Sequence, residues 1–206
     1  MVAHNTLTDP ELHEPKGVST AASGSVYVSN GSGSGSWTSL NNYSPNHGTH
    51  QDTTSGTSVT LSKPTSFTKN PQRITIVFNG VSTNGSNELL VRAGSTTPET
   101  SGYQSSSTGF YFGSTVRFDR SAVNGFVANP MSPSIAFNGT LTLTRLRTDS
   151  NVWISTLVSN AYDGSIFFSG WGTGTKTFSG EIDKIAVTTT TGIDIFDAGT
   201  VNVIWE

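Results

Sequence analysis

The sequence contains no cysteine, and only 12% of its 206 residues are charged. The first absence excludes a disulfide scaffold and a thiolate-ligated zinc site. Lys and Arg number 11 against 14 Asp and Glu, a formal net charge of −3. Binding to nucleic acid without regard to base sequence relies on clustered basic side chains, so this balance argues against nucleic acid as a partner. No apolar run approaches the ~18 residues needed to span a bilayer. The first twenty residues include Asp9, Glu11 and Glu14 and lack an apolar stretch, so neither a signal peptide nor a membrane association is expected. No segment sustains a 3.6-residue apolar period. What the chain has in abundance is Ser and Thr, roughly 30% together against a far lower ordinary usage, and 22 glycines.

These residues are unevenly spread. Residues 1–56 hold all four histidines, His4, His13, His47 and His50, and few large apolar side chains. They include Gly31-Ser32-Gly33-Ser34-Gly35-Ser36, which has the composition of a flexible connector. Such a stretch buries too little apolar surface to offset its ordering entropy, so residues 1–56 read as an extended arm that orders against a partner. Val26-Tyr27-Val28 is a β-prone island within it, suited to pairing with another edge.

Residues 57–206 change character. Short β-prone runs recur between Gly, Asn, Ser and Pro clusters. Ile74, Ile76 and Phe78 alternate along one face, and Thr140-Leu141-Thr142-Leu143-Thr144 has the in-out alternation of a half-buried antiparallel strand. Val152 to Val158 is apolar on both faces and reads as central. The apolar phase slips between Ile182 and Ile185, which predicts a bulge or strand end near Asp183-Lys184. Val201, Val203 and Trp205 alternate in a last strand. The fold expected is all-β: an antiparallel β-sandwich of the jelly-roll kind behind an N-terminal arm.

Motifs for chemistry are weak. With no histidine in 57–206, a Ser-His-Asp triad would have to borrow His47 or His50 from the arm. Asp194 and Asp197 fall in a Gly-flanked stretch and read as turn residues rather than an acid–base pair. Gly170-Trp171-Gly172-Thr173-Gly174-Thr175-Lys176-Thr177 has Thr175 where a phosphate loop needs glycine, and is read as a flexible loop. His47-Gly48-Thr49-His50 offers two imidazoles, too few for a closed metal site. Trp171 is the expected exposed ligand contact, because a loop-borne indole among small polar residues suits a glycan or a protein neighbour. No cofactor, metal or catalytic residue is assigned.

Several strings look familiar. Leu12-His13-Glu14-Pro15-Lys16-Gly17-Val18, with Gly24-Ser25-Val26-Tyr27-Val28 and Gly33-Ser34-Gly35-Ser36-Trp37, resembles the N-terminal arm of virion proteins from tailed bacteriophages. Ile74 to Ser86, Glu99 to Tyr103 and Phe196 to Val203 are similar to a phage β-domain. The resemblance covers nearly the whole chain. It implies a phage structural protein of the head-fibre, capsid-decoration, minor-capsid or tail kind with no catalytic residue, and the expected role among these is non-enzymatic decoration of the capsid surface. It also implies homotrimers, with the major capsid protein as partner. On that reading Leu12, His13, Glu14, Pro15, Lys16, Val26, Tyr27 and Val28 attach to the capsid, and Val203 and Trp205 are expected at the trimer interface. The alternative is a tail-fibre or tail-tip module that binds a host receptor or glycan.

Overall fold

A computed structural model of the chain describes residues 20–32, 34–39, 45–112, 117–128, 132–133, 135–165 and 167–206. The attachment candidates Leu12, His13, Glu14, Pro15 and Lys16 lie outside the described residues. The chain divides into two units, Met1–Ser44 and Pro45–Glu206.

In the first unit, β1 (Ser25–Ser29) pairs antiparallel with β2 (Gly35–Ser39). Val26-Tyr27-Val28 therefore finds its partner within its own unit, with Tyr27 opposite Trp37 and the two rings edge to face at 5.4 Å. Cross-strand aromatic pairs of this kind are a main source of hairpin stability. Part of the Gly/Ser tract is strand, since Gly35 and Ser36 belong to β2. Gly31 supplies the left-handed conformation of the turn, at φ +76°. The Asn30 side chain fastens that turn by accepting the backbone N–H groups of Ser32 and Ser34.

The second unit begins at Pro45, not at residue 57. Its strands are β3 (Asn46–His47), β4 (Gln51–Asp52), β5 (Ser58–Ser62), β6 (Arg73–Thr83), β7 (Leu89–Gly94), β8 (Gln104–Tyr111), β9 (Arg117–Ala122), β10 (Phe126–Val127), β11 (Ala136–Arg145), β12 (Val152–Tyr162), β13 (Phe167–Thr177), β14 (Lys184–Thr189) and β15 (Phe196–Trp205). They form an all-β, antiparallel sandwich. A nine-stranded sheet runs β3-β15-β6-β11-β12-β13-β8-β9, with β4 also on β15, and a four-stranded sheet runs β10-β7-β14-β5. The boundary moves because β3 and β4 add to the free edge of β15, which makes 45–56 part of the sheet. His47, opposite Ile204, and His50 thus belong to the sandwich rather than to the arm.

The pairing nests in the manner of a jelly roll. β6 pairs with β15, β7 with β14, β8 with β13, and β11 with β12 at the centre. The large sheet is then completed sideways, β6 against β11 and β12 against β13.

One core lies between the sheets. Alternation along each strand of the large sheet turns Ile74, Ile76, Leu141, Leu143, Trp153 and Leu157 inward against Leu61, Val91, Ile185 and Val187 of the small one. Each such side chain contributes about 1.5–3 kcal/mol on burial. Val203 and Trp205 are fully buried in this core, which corrects their expected place at a trimer interface. The inward parity that made them look like a sticky face is the parity that packs them against their own sheet partners. The phase slip at Asp183-Lys184 is a strand end, since β14 begins at Lys184.

The β6–β15 ladder carries register shifts on either side of Ala198. Gly199, at φ +95°, lies so close to Gly80 that a Cβ there would come 2.4 Å from the Gly80 carbonyl oxygen. Only glycine fits this bulge.

Candidate functional site

The outward face of the nine-stranded sheet holds the largest collection of exposed apolar side chains among the described residues. Residues of odd parity on β13 point out: Phe167, Trp171 and Thr173 are exposed or nearly so. Even parity points in, and there the sequence places Gly170, Gly172 and Gly174. A Cβ at Gly172 would come 2.8 Å from the Ser106 carbonyl oxygen, and one at Gly174 would come 3.0 Å from the Phe126 ring. At Gly172 the adjacent strand β8, and at Gly174 Phe126 of the small sheet, come too close for a side chain, while the bulk of β13 projects outward. The Gly-Trp-Gly string is therefore strand, not the loop its composition suggested, and Trp171 stands on a rigid sheet with 51% of its surface exposed.

Register sets its neighbours. Trp171 lies opposite Val158 on one side and Thr108 on the other, and Thr108 lies opposite Asp119. One step along the strands a row of hydroxyls crosses six strands: Ser121, Ser106, Thr173, Thr156, Thr142 and Thr75. Phe110 packs against Trp171 with ring centroids 5.7 Å apart.

At the edge of this face Arg117 Nε donates to both carboxylate oxygens of Asp119 at 2.9 Å, and Thr108 Oγ1 donates to Asp119 Oδ1 at 2.7 Å. The hydrogen bond from Arg117, then that from Thr108, holds the Asp119 carboxyl below its ordinary pKa. The same bond, together with the Asp119 charge, raises that of Arg117. Asp119 is thus an ionised acceptor in a fixed orientation. Together with Ser106, Thr108, Thr173 and Trp171 the pair lines a cleft of about 340 Å³.

A second aromatic group lies at the β12–β13 turn. Tyr162 stacks on Phe167 at 4.5 Å, and Phe112, 82% exposed, donates its backbone N–H to the Phe167 carbonyl.

The other sequence candidates have structural occupations. Asp194 is buried and accepts the Asn87 backbone N–H at 2.8 Å and the Asn87 side-chain amide at 2.6 Å. Asp197 accepts the Ser82 hydroxyl. His47 and His50 are exposed, and among the described residues no group of three or more His, Cys, Asp or Glu is placed to hold a metal ion. Nor is any helix among them long and apolar enough to cross a membrane.

Sequence reasoning missed two buried cations. Lys176 Nζ lies 2.7 Å from Glu99 Oε2, donates to the Ser101 carbonyl at 2.8 Å, and sits 4.8 Å from the centre of the Tyr103 ring. Burial pushes the Tyr103 hydroxyl pKa far up, so it stays neutral, donating to the Glu99 carbonyl and accepting the Ala93 N–H. Arg145 grips Glu181 with both terminal nitrogens, at 3.0 and 2.9 Å. A signal for both existed: each stands at an inward parity position, Arg145 in phase with Leu141 and Leu143, where a charge must be paired.

Compared with known proteins, the chain matches no family model, no curated protein and no solved structure.

Proposed function

We propose that this chain is a non-enzymatic structural protein of a tailed-phage virion. It decorates the capsid surface as a homotrimer, attaches to the major capsid protein through its N-terminal unit, and stabilises the shell. The observation that carries this reading is the division of the chain at Ser44 and Pro45 into a small unit and a compact sandwich. The described part of the small unit is one two-stranded hairpin, β1–β2. A lone hairpin is marginal in water, so it gains most by adding its edge or its Tyr27–Trp37 pair to a partner surface. The resemblance of the strings around Leu12–Val18 and Ile74–Ser86 to phage virion proteins supplies the nature of that partner. Three arms on one trimer multiply a weak individual affinity without any new contact.

With Val203 and Trp205 committed to the protomer's own core, the trimer contact falls to the exposed aromatic group of Phe112, Tyr162 and Phe167. Clustered exposed rings mark an association surface. Deleting residues 1–44 tests the arm. The shortened chain should keep its fold and remain a trimer but lose binding to particles; retention of full particle affinity would refute attachment through the arm.

A further inference from the structure

The cleft beside Trp171 has the parts of a sugar site, and we infer that it binds a pyranose ring of a surface polysaccharide. Pyranose rings present an apolar C–H face and an equatorial belt of hydroxyls. Their recognition needs a flat, half-exposed ring for the first and fixed, planar polar groups for the second. Trp171 supplies the ring, 51% exposed and steadied from one side by Phe110. The residue that follows it, Gly172, is closed against Ser106 and Ser107 of the adjacent strand β8, and the indole stands on the outward side of β13. Asp119 and Arg117 supply the planar groups. Their mutual bonds and the bond from Thr108 fix both before any ligand arrives, so little side-chain entropy is lost on binding.

Spacing agrees with this. Asp119 and Trp171 flank Thr108 on adjacent strands, which places their backbones about 10 Å apart across the sheet. A ring over the indole therefore carries its hydroxyls toward Thr108 and Asp119. The cleft, of about 340 Å³, is open and rests on a row of hydroxyls that continues through Ser106 and Thr173. An open, hydroxyl-floored groove suits an internal segment of a chain of sugars better than a buried monosaccharide.

A protein neighbour is the competing occupant. The aromatic group at Phe112, Tyr162 and Phe167 has that character, because three large rings are exposed together there. The Trp171 end differs in its prearranged carboxylate and guanidinium, whose hydrogen-bonding capacity a flat apolar partner would leave unmet.

The test uses the full chain and four probes: cellotetraose, chitotetraose, mannotetraose and purified bacterial lipopolysaccharide. The indole N–H resonance of Trp171, assigned by its disappearance in Trp171→Ala, is followed during titration. At least one probe should move it saturably below about 10 mM. Binding of that probe should weaken by about tenfold or more in both Trp171→Ala and Asp119→Asn, with the circular dichroism unchanged. Three outcomes would overturn the proposal: no probe moves the resonance, binding survives Trp171→Ala, or Trp171→Ala lowers the molar mass and so reveals a protein neighbour on the indole. Particle binding by Trp171→Ala is measured in parallel. Loss of sugar binding with decoration intact separates this site from the proposed capsid role.

Discussion

Lys176 and Glu99 meet at 2.7 Å at the margin of the sandwich, the lysine side chain 5% exposed and the carboxylate 24%. The pair ties the last turn of β13 to the segment after β7, and Glu99 also accepts the backbone N–H and the hydroxyl of Ser179. Removing the cation leaves a carboxylate with part of its hydration lost and one partner gone. Lys176→Met should therefore lower stability by about 2–3 kcal/mol, read from urea denaturation.

The same pair sets an acid limb. Burial pushes the Glu99 pKa up, but the bonds from Lys176 and Ser179 outweigh it, and the net position is below the ordinary value of 4.5. A carboxyl depressed in the folded state contributes stability that is fully present above its unfolded pKa and is lost as pH falls through the folded one. Stability should therefore decline as pH drops below about 4.5, and Glu99→Gln should flatten that decline while lowering stability near neutrality. Chemical denaturation at a series of pH values reads both.

Arg145 carries the larger penalty. Its side chain is 3% exposed, and beyond Glu181 it donates to the Ser150 carbonyl at 2.6 Å and to Asn151 Oδ1 at 3.1 Å. Arg145→Met should cost about 3–4 kcal/mol in thermal or urea unfolding. Arg145→Lys should recover only part of it, because an ammonium cannot make the two parallel bonds to Glu181.

The proposed trimer would associate through the aromatic group at the β12–β13 turn. Replacing Phe112 and Phe167 together by Ser should leave the fold intact, since both side chains are more than half exposed. Light scattering should then give a monomer mass where the unaltered chain gives three times that value. An unaltered chain that is monomeric at micromolar concentration would remove the trimer from the account.

How far the sequence could be read depended on what each signal measures. Period-two alternation reports which side chains a sheet turns inward, so β6, β11 and β15 were legible from Ile74–Phe78, Thr140–Thr144 and Val201–Trp205. The same alternation is blind to whether an inward face meets its own second sheet or another protomer. Trp205 and Val203 were misplaced for that reason. Composition misled at two points. Glycine count made Gly170–Gly174 look like a loop, although the glycines occupy one parity only and mark a close approach at Gly172 and Gly174. Low apolar content hid β3 and β4, two-residue strands held by the edge of β15 rather than by a hydrophobic face of their own. Trp171 was legible as exposed. Its neighbours Thr108 and Asp119 were not, because they reach it through β8 and β9, more than fifty residues away along the chain.

The proposed capsid role is tested most directly by looking for the chain in an image reconstruction of the virion proposed to carry it. The account predicts trimeric density on the outer shell, with the segment before Pro45 meeting the major capsid protein and the sandwich standing clear of it. Density for this chain only at the tail, with the shell bare, would contradict it.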